Sequence, residues 1–101
     1  MKNTFVIQWA PGAAWAAGKT VREQPYWDEH AEFMDRLFEN GTVILGGPFC
    51  DGTGSLVIVE AEEMNEVAAL IAKDPFVVHQ IFKLRSLKQW QLFLDARQKV
   101  S

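Results

Sequence analysis

The chain is 101 residues long, 49% hydrophobic and 23% charged, with a formal net charge of −3. A chain of this length buries about 60 to 70% of its unfolded surface in one modest core, so residues 1–101 are expected to form a single domain. Ten basic residues scattered among thirteen acidic ones form no basic stripe, which removes the electrostatic attraction behind most nucleic-acid binding. No nucleic-acid partner is therefore expected, and no membrane partner either, since no apolar run approaches the ~20 residues that cross a bilayer. Cys50 is the only cysteine, which excludes an intrachain disulfide and a thiolate metal cluster and fits a reducing cytoplasm.

Asn3 to Trp9 alternates Phe5, Ile7 and Trp9 with Thr4, Val6 and Gln8, the period of a strand. The same segment with the following AAWAAG weakly imitates a secretory leader, but Gln8 and Pro11 interrupt the apolar stretch. Residues 10 to 24 contain two glycines and a proline without alternation; they read as a long loop that carries Trp15 and Arg22. From Pro25 the period becomes helical up to Asn40-Gly41. At about 100° per residue, Tyr26, Trp27, Ala31, Phe33, Met34, Leu37 and Phe38 share one apolar arc. His30 lies near the middle of that arc, an unusual place for a titratable group.

Thr42 to Leu45 and Ser55 to Glu60 are β-rich runs that pair most simply as an antiparallel hairpin. Ala61 to Lys73 carries Met64, Val67, Ala68 and Ile71 at helical spacing and is stopped by Asp74-Pro75. Ile81 to Trp90 forms the last strand, and LFLDARQKV after it reads as a short amphipathic tail. The order strand, helix, strand, strand, helix, strand predicts an α+β, ferredoxin-like βαββαβ domain, an antiparallel sheet with both helices on one face. Its other face is left bare, so a homodimer that packs sheet against sheet is expected.

Residues 46 to 55 read GGPFCDGTGS, and three functions compete for them. A phosphate-binding loop needs its glycines to open a helix and to lead into Lys-Ser/Thr, whereas this stretch leads into a strand and has no lysine. A calcium loop needs several alternating carboxylates, and only Asp51 is present. A hairpin connector remains, with Pro48, Phe49 and Asp51 free to face a ligand.

His30 is the stronger chemical candidate, although a lone histidine on an apolar helix face often has no role beyond packing. A neutral imidazole can serve as acid or base near pH 7, and burial beside a carboxylate tunes it. Asp74 is available for that, because the two helices lie side by side on the sheet. His30 and His79 lack the spacing of a zinc helix, so no metal is expected, and neither Ser55 nor Cys50 sits on a nucleophile turn. Trp9, Trp15, Trp27 and Phe76 read as core or dimer contacts; any that surround His30 would make an aromatic-walled pocket suited to a flat ligand.

Together the segments PG then Trp15, REQPYWDEHAEFMDRL, NGTVILGGPF, SLVIVEA and KDPFVVHQIFKLRSLKQW resemble the YciI-related (YCII domain) family from Phe5 to Trp90. The resemblance implies a dimeric α+β barrel and a His/Asp acid/base pair, which falls on His30 in WDEH and Asp74 in KDPF. Arg22, Trp15 and the Gly46-Gly47-Pro48 segment also match. Phe76 stands where relatives often carry Trp, and His79 matches no family role. The function implied is a lyase without a cofactor that acts on a small hydroxylated aromatic ring; the most specific expectation is loss of HCl from a chlorohydroxyhydroquinone to give hydroxybenzoquinone. In that reading His30 and Asp74 are catalytic, and Trp15, Arg22, Pro48, Phe49, Asp51 and Phe76 bind the substrate. Two alternatives stay open: a dimer that only binds a small aromatic metabolite, and haem ligation by His30, which a Soret band would reveal.

Overall fold

In the computed structural model, which describes residues 2–98, the first strand β1 (Asn3–Pro11) buries Phe5, Ile7 and Trp9 and leaves the residues between them half-buried. This is the alternation its sequence requires of a strand with one covered face. β1 is followed by a long loop with a 3₁₀ turn at Val21–Glu23, then α1 (Trp27–Glu39), β2 (Val43–Pro48), β3 (Ser55–Ala61), α2 (Met64–Ile71), α3 (Pro75–Val78) and β4 (Phe82–Trp90). A second 3₁₀ turn spans Ala96–Gln98. The sheet runs β2-β3-β1-β4 with every neighbouring pair antiparallel. This is the ferredoxin-like arrangement.

One apolar cluster joins Phe5, Ile7, Trp9, Val57 and Val59 of the sheet to Leu37 of α1, Val67 and Ile71 of α2 and Phe76 of α3. The helices therefore cover a single face. On the other face Val6 and Leu45 both pair with Ile58, which is buried yet stands outside that cluster. Leu45 there is 63% exposed, and Thr4 pairs with the half-exposed Trp90 beside it. Among the described residues no helix is long and apolar enough to cross a membrane.

The main differences from the sequence expectation each have a local reason. α1 begins at Trp27 rather than Pro25 because Tyr26 takes a left-handed conformation (φ 68°) as its N-cap. The expected stop at Asp74-Pro75 holds, but a short further helix follows it where none was expected. Pro75 holds Asp74 extended at ψ 126°, which ends the first helix and makes Asp74 the N-cap of a new short one. β2 runs on through Gly46, Gly47 and Pro48 and β3 begins at Ser55, so part of the glycine-rich stretch is strand and only residues 49–54 turn. The expected amphipathic tail contains a 3₁₀ turn in its described part; its last two residues, 99 and 100, lie outside the described residues.

Gly54 is the glycine that this turn cannot replace. Its φ is +155°, and an added Cβ would stand 2.1 Å from the Trp9 carbonyl oxygen, a backbone atom that cannot swing aside. Gly54→Ala is expected to cost about 2 kcal/mol or more of unfolding free energy, read as a lower urea midpoint with an unchanged slope; an unchanged midpoint would show that the turn relaxes freely.

Candidate active site

The cap at Asp74 also builds the site. Its side chain is 2% exposed, and Oδ1 accepts both the Phe76 amide (2.9 Å) and His30 Nδ1 (2.8 Å). A carboxylate that caps a helix and so accepts a backbone N–H is held in one orientation. With that oxygen as acceptor, the hydrogen is assigned to His30 Nδ1, and in the neutral imidazole Nε2 then presents its lone pair. Nε2 has no protein partner, and among the described residues no buried side-chain nitrogen or oxygen lacks one. Nε2 is therefore reached from the cavity that His30 lines.

Aromatic rings hold the imidazole on its other sides. Phe76 stacks on it at 4.0 Å between centroids and 4° between planes, Phe82 meets it edge-on at 5.5 Å, and Trp27 leans on it at 5.6 Å. Such contacts fix a ring through dispersion and quadrupole geometry. A second stack braces the two helices from outside. Tyr26, one turn before His30, lies on His79 at 3.7 Å and 3°, and the backbone at Tyr26 and at Gln80 takes positive φ.

The cavity in front of Nε2 measures about 600 Å³, within the range of small-molecule sites. Trp9, Trp27, Met34, Val57 and Phe82 supply apolar wall, while Arg22 and Asp35 bring charge to it. The Arg22 guanidinium lies 6.0 Å from the centroid of the Trp27 ring and forms no ion pair among the described residues. Gly46 pairs with Val57 on this face, so any side chain there would project into the cavity. Its value is the space it leaves, since its φ is ordinary.

The residues singled out in the sequence fall into three places. His30, Asp74 and Phe76 form one packed unit, with Arg22 and Pro48 on the cavity wall. Trp15 and Phe49 line a neighbouring hollow instead, although Trp15 stacks on Phe82. Asp51, expected at the mouth of the cavity, lines neither space. The Thr53 hydroxyl and amide donate to it and hold its carboxyl below the usual carboxylate range, so it serves its own turn. Phe82 and Asp35 were missed by sequence reasoning. Phe82 carried a signal in the IFKL alternation; Asp35 carried none, because it falls on the charged side of α1. Among the described residues no three His, Cys, Asp or Glu side chains converge as a metal site requires.

The model of the YCII-related domain matches residues 4–91. The chain belongs to the YCII-related family. Within the curated proteins, this YCII-domain chain is 34% identical to the uncharacterised protein YjpA of Bacillus subtilis (strain 168) over 77 residues, which cover 72% of this chain and 89% of YjpA. Of solved structures, it resembles the 5-chloro-2-hydroxyhydroquinone dehydrochlorinase of Burkholderia phenoliruptrix AC1100 in complex with 2,5-dihydroxybenzoquinone, at a TM-score of 0.64. That match is 24% identical and covers 86% of this chain and 93% of the other, a likeness of fold.

Removing the Asp74 carboxylate leaves a buried imidazole nitrogen without its acceptor and α3 without its cap. Asp74→Ala is expected to destabilise the YCII domain by about 2 to 4 kcal/mol, from about 1 to 3 for the orphaned group and about 1 for the cap. Asp74→Asn, which retains an acceptor oxygen, should cost clearly less in the same denaturant titration.

Proposed function

We propose that this protein is a lyase that needs no cofactor and acts on a small hydroxylated aromatic ring, with chlorohydroxyhydroquinone as its substrate. The observation that supports this most is the buried His30–Asp74 pair, 2.8 Å apart, with Nε2 open to an aromatic-walled cavity. An imidazole oriented in this way accepts a proton at one nitrogen while the carboxylate stabilises the cation that results. The likeness in fold to a dehydrochlorinase adds support, but a fold hosts many chemistries and the site must carry the reading.

In this mechanism the ring lies against Trp27 and Phe82. His30 Nε2 takes a proton from a ring hydroxyl, and a proton is delivered to the ring carbon that bears chlorine. That carbon becomes tetrahedral and the oxygen becomes a carbonyl. Loss of a second hydroxyl proton then forms the other carbonyl as the C–Cl bond breaks and chloride leaves. The net change is loss of HCl, and it needs no external oxidant because the ring is oxidised as the carbon–chlorine bond is reduced. Arg22 would stabilise the phenolate oxygen that develops, the charge most in need of a partner in an apolar pocket. The bare sheet face would be covered by a second copy of the chain, as the exposure of Leu45 and Trp90 suggests.

Positioned acid/base groups contribute about 10² to 10⁴ in rate. His30→Gln is therefore expected to lose most turnover of 5-chloro-2-hydroxyhydroquinone, followed as chloride release, while its circular dichroism stays that of the parent. Wild-type rates in that variant would sink the mechanism. Tight binding of the aromatic ring by the parent protein with no chloride released would replace it with a binding role.

A further inference from the structure

The hollow that holds Trp15 and Phe49 has no part in the mechanism above. It measures about 500 Å³ and lies between the loop carrying Trp15 and the 49–54 turn. Thr20, Val21, Pro48, Ser55 and Phe82 line both this hollow and the His30 cavity. These shared residues make the two spaces neighbours, and we infer that they are lobes of one cleft with those residues at its waist.

The inner lobe has His30, Arg22 and Asp35 on its walls, whereas the outer one carries Lys19 as its charged residue beside the rings of Trp15, Phe49 and Phe82 and two prolines. A ligand gains affinity in the outer lobe chiefly by burying apolar area. The walls are also built in place. The amide of Gln24, only 4% exposed, accepts from the Ala16 amide at 2.7 Å and donates to the carbonyls of Ala16, Lys19 and Thr20. Across the lobe the turn is closed by Phe49 N–H to the Gly54 carbonyl at 2.8 Å.

The inner lobe alone is already of a size that encloses a drug-like molecule, and one six-membered ring with its hydroxyls leaves much of the cleft empty. Resting on the functional reading above, we propose that the substrate ring carries a further apolar or aryl substituent, with chlorohydroxyhydroquinone as its unsubstituted core. The ring faces His30 in the inner lobe, and the substituent passes the waist to lie on Trp15 and Phe49.

Calorimetry on the full chain with resorcinol and 4-phenylresorcinol, which do not cycle readily to quinones, tests this directly. The phenyl compound is expected to bind about 10-fold or more tightly than resorcinol. Cys50, the chain's only cysteine, is exposed on the outer-lobe wall, so alkylating it with N-ethylmaleimide obstructs that lobe in the already folded protein. The alkylated protein should keep its resorcinol affinity and lose the phenyl gain, and Phe49→Ala should reduce that gain. Equal affinity for both compounds in the untreated protein, or a gain that survives alkylation, overturns the two-lobed assignment and leaves the lyase reading standing. Failure of both compounds to bind overturns the assignment together with that reading. Absence of chloride release from 5-chloro-2-hydroxyhydroquinone beside a preserved phenyl gain overturns the lyase reading alone.

Discussion

The hydrogen bond from His30 Nδ1 to Asp74 Oδ1 ties together the parts of this molecule that build the candidate site. It connects α1 to the junction of α2 and α3 at 2.8 Å, in a place where both side chains are buried. An unpaired polar group there would be costly, so the bond constrains the packing as much as the packing constrains the bond. Asp74 meets this demand because Pro75 denies it a helical conformation and the Phe76 amide then fixes its carboxylate. Helix punctuation and imidazole orientation are thus one arrangement.

The surrounding rings follow from that fixed point. Phe76 comes into the first turn of α3 directly after the cap and lies flat on the imidazole, while Phe82 arrives from β4 and meets both rings edge-on. Trp9 and Trp15 stack in turn on Phe82. One aromatic side chain therefore serves the core, the imidazole and both lobes of the cleft. A change at Phe82 would act on all of these together, because contacts that share a residue do not contribute independently.

The loop from Gly12 to Gln24 shows how irregular chain becomes a wall. It has little regular structure, yet the buried Gln24 amide satisfies the carbonyls that a loop would otherwise turn to water. Arg22 is carried on the same loop to a place over the Trp27 ring. A rigid sheet bearing such loops is the common way in which binding sites are placed. On the far side, the turn at Gly54 closes against the Trp9 carbonyl, so both borders of the cleft refer back to β1.

Period and punctuation in the sequence determined a good deal. Alternation in NTFVIQWA, the helical arc around His30, the hairpin and the Asp-Pro stop specify the order of elements, and that order admits few topologies. The same patterns placed His30 on an apolar face and made Asp74 a reachable partner, because both facts depend on spacing along a helix. Tertiary structure alone decided the rest. Trp15 and Phe49 went to an outer lobe and Asp51 to its own turn, since the direction of a loop side chain depends on which backbone groups remain to be satisfied. Gly46 and Gly47 became strand because β3 offered them a partner, and Phe82 became the hub because β4 runs beside β1. Neither outcome is written in a local pattern; both come from contacts between residues distant in the chain.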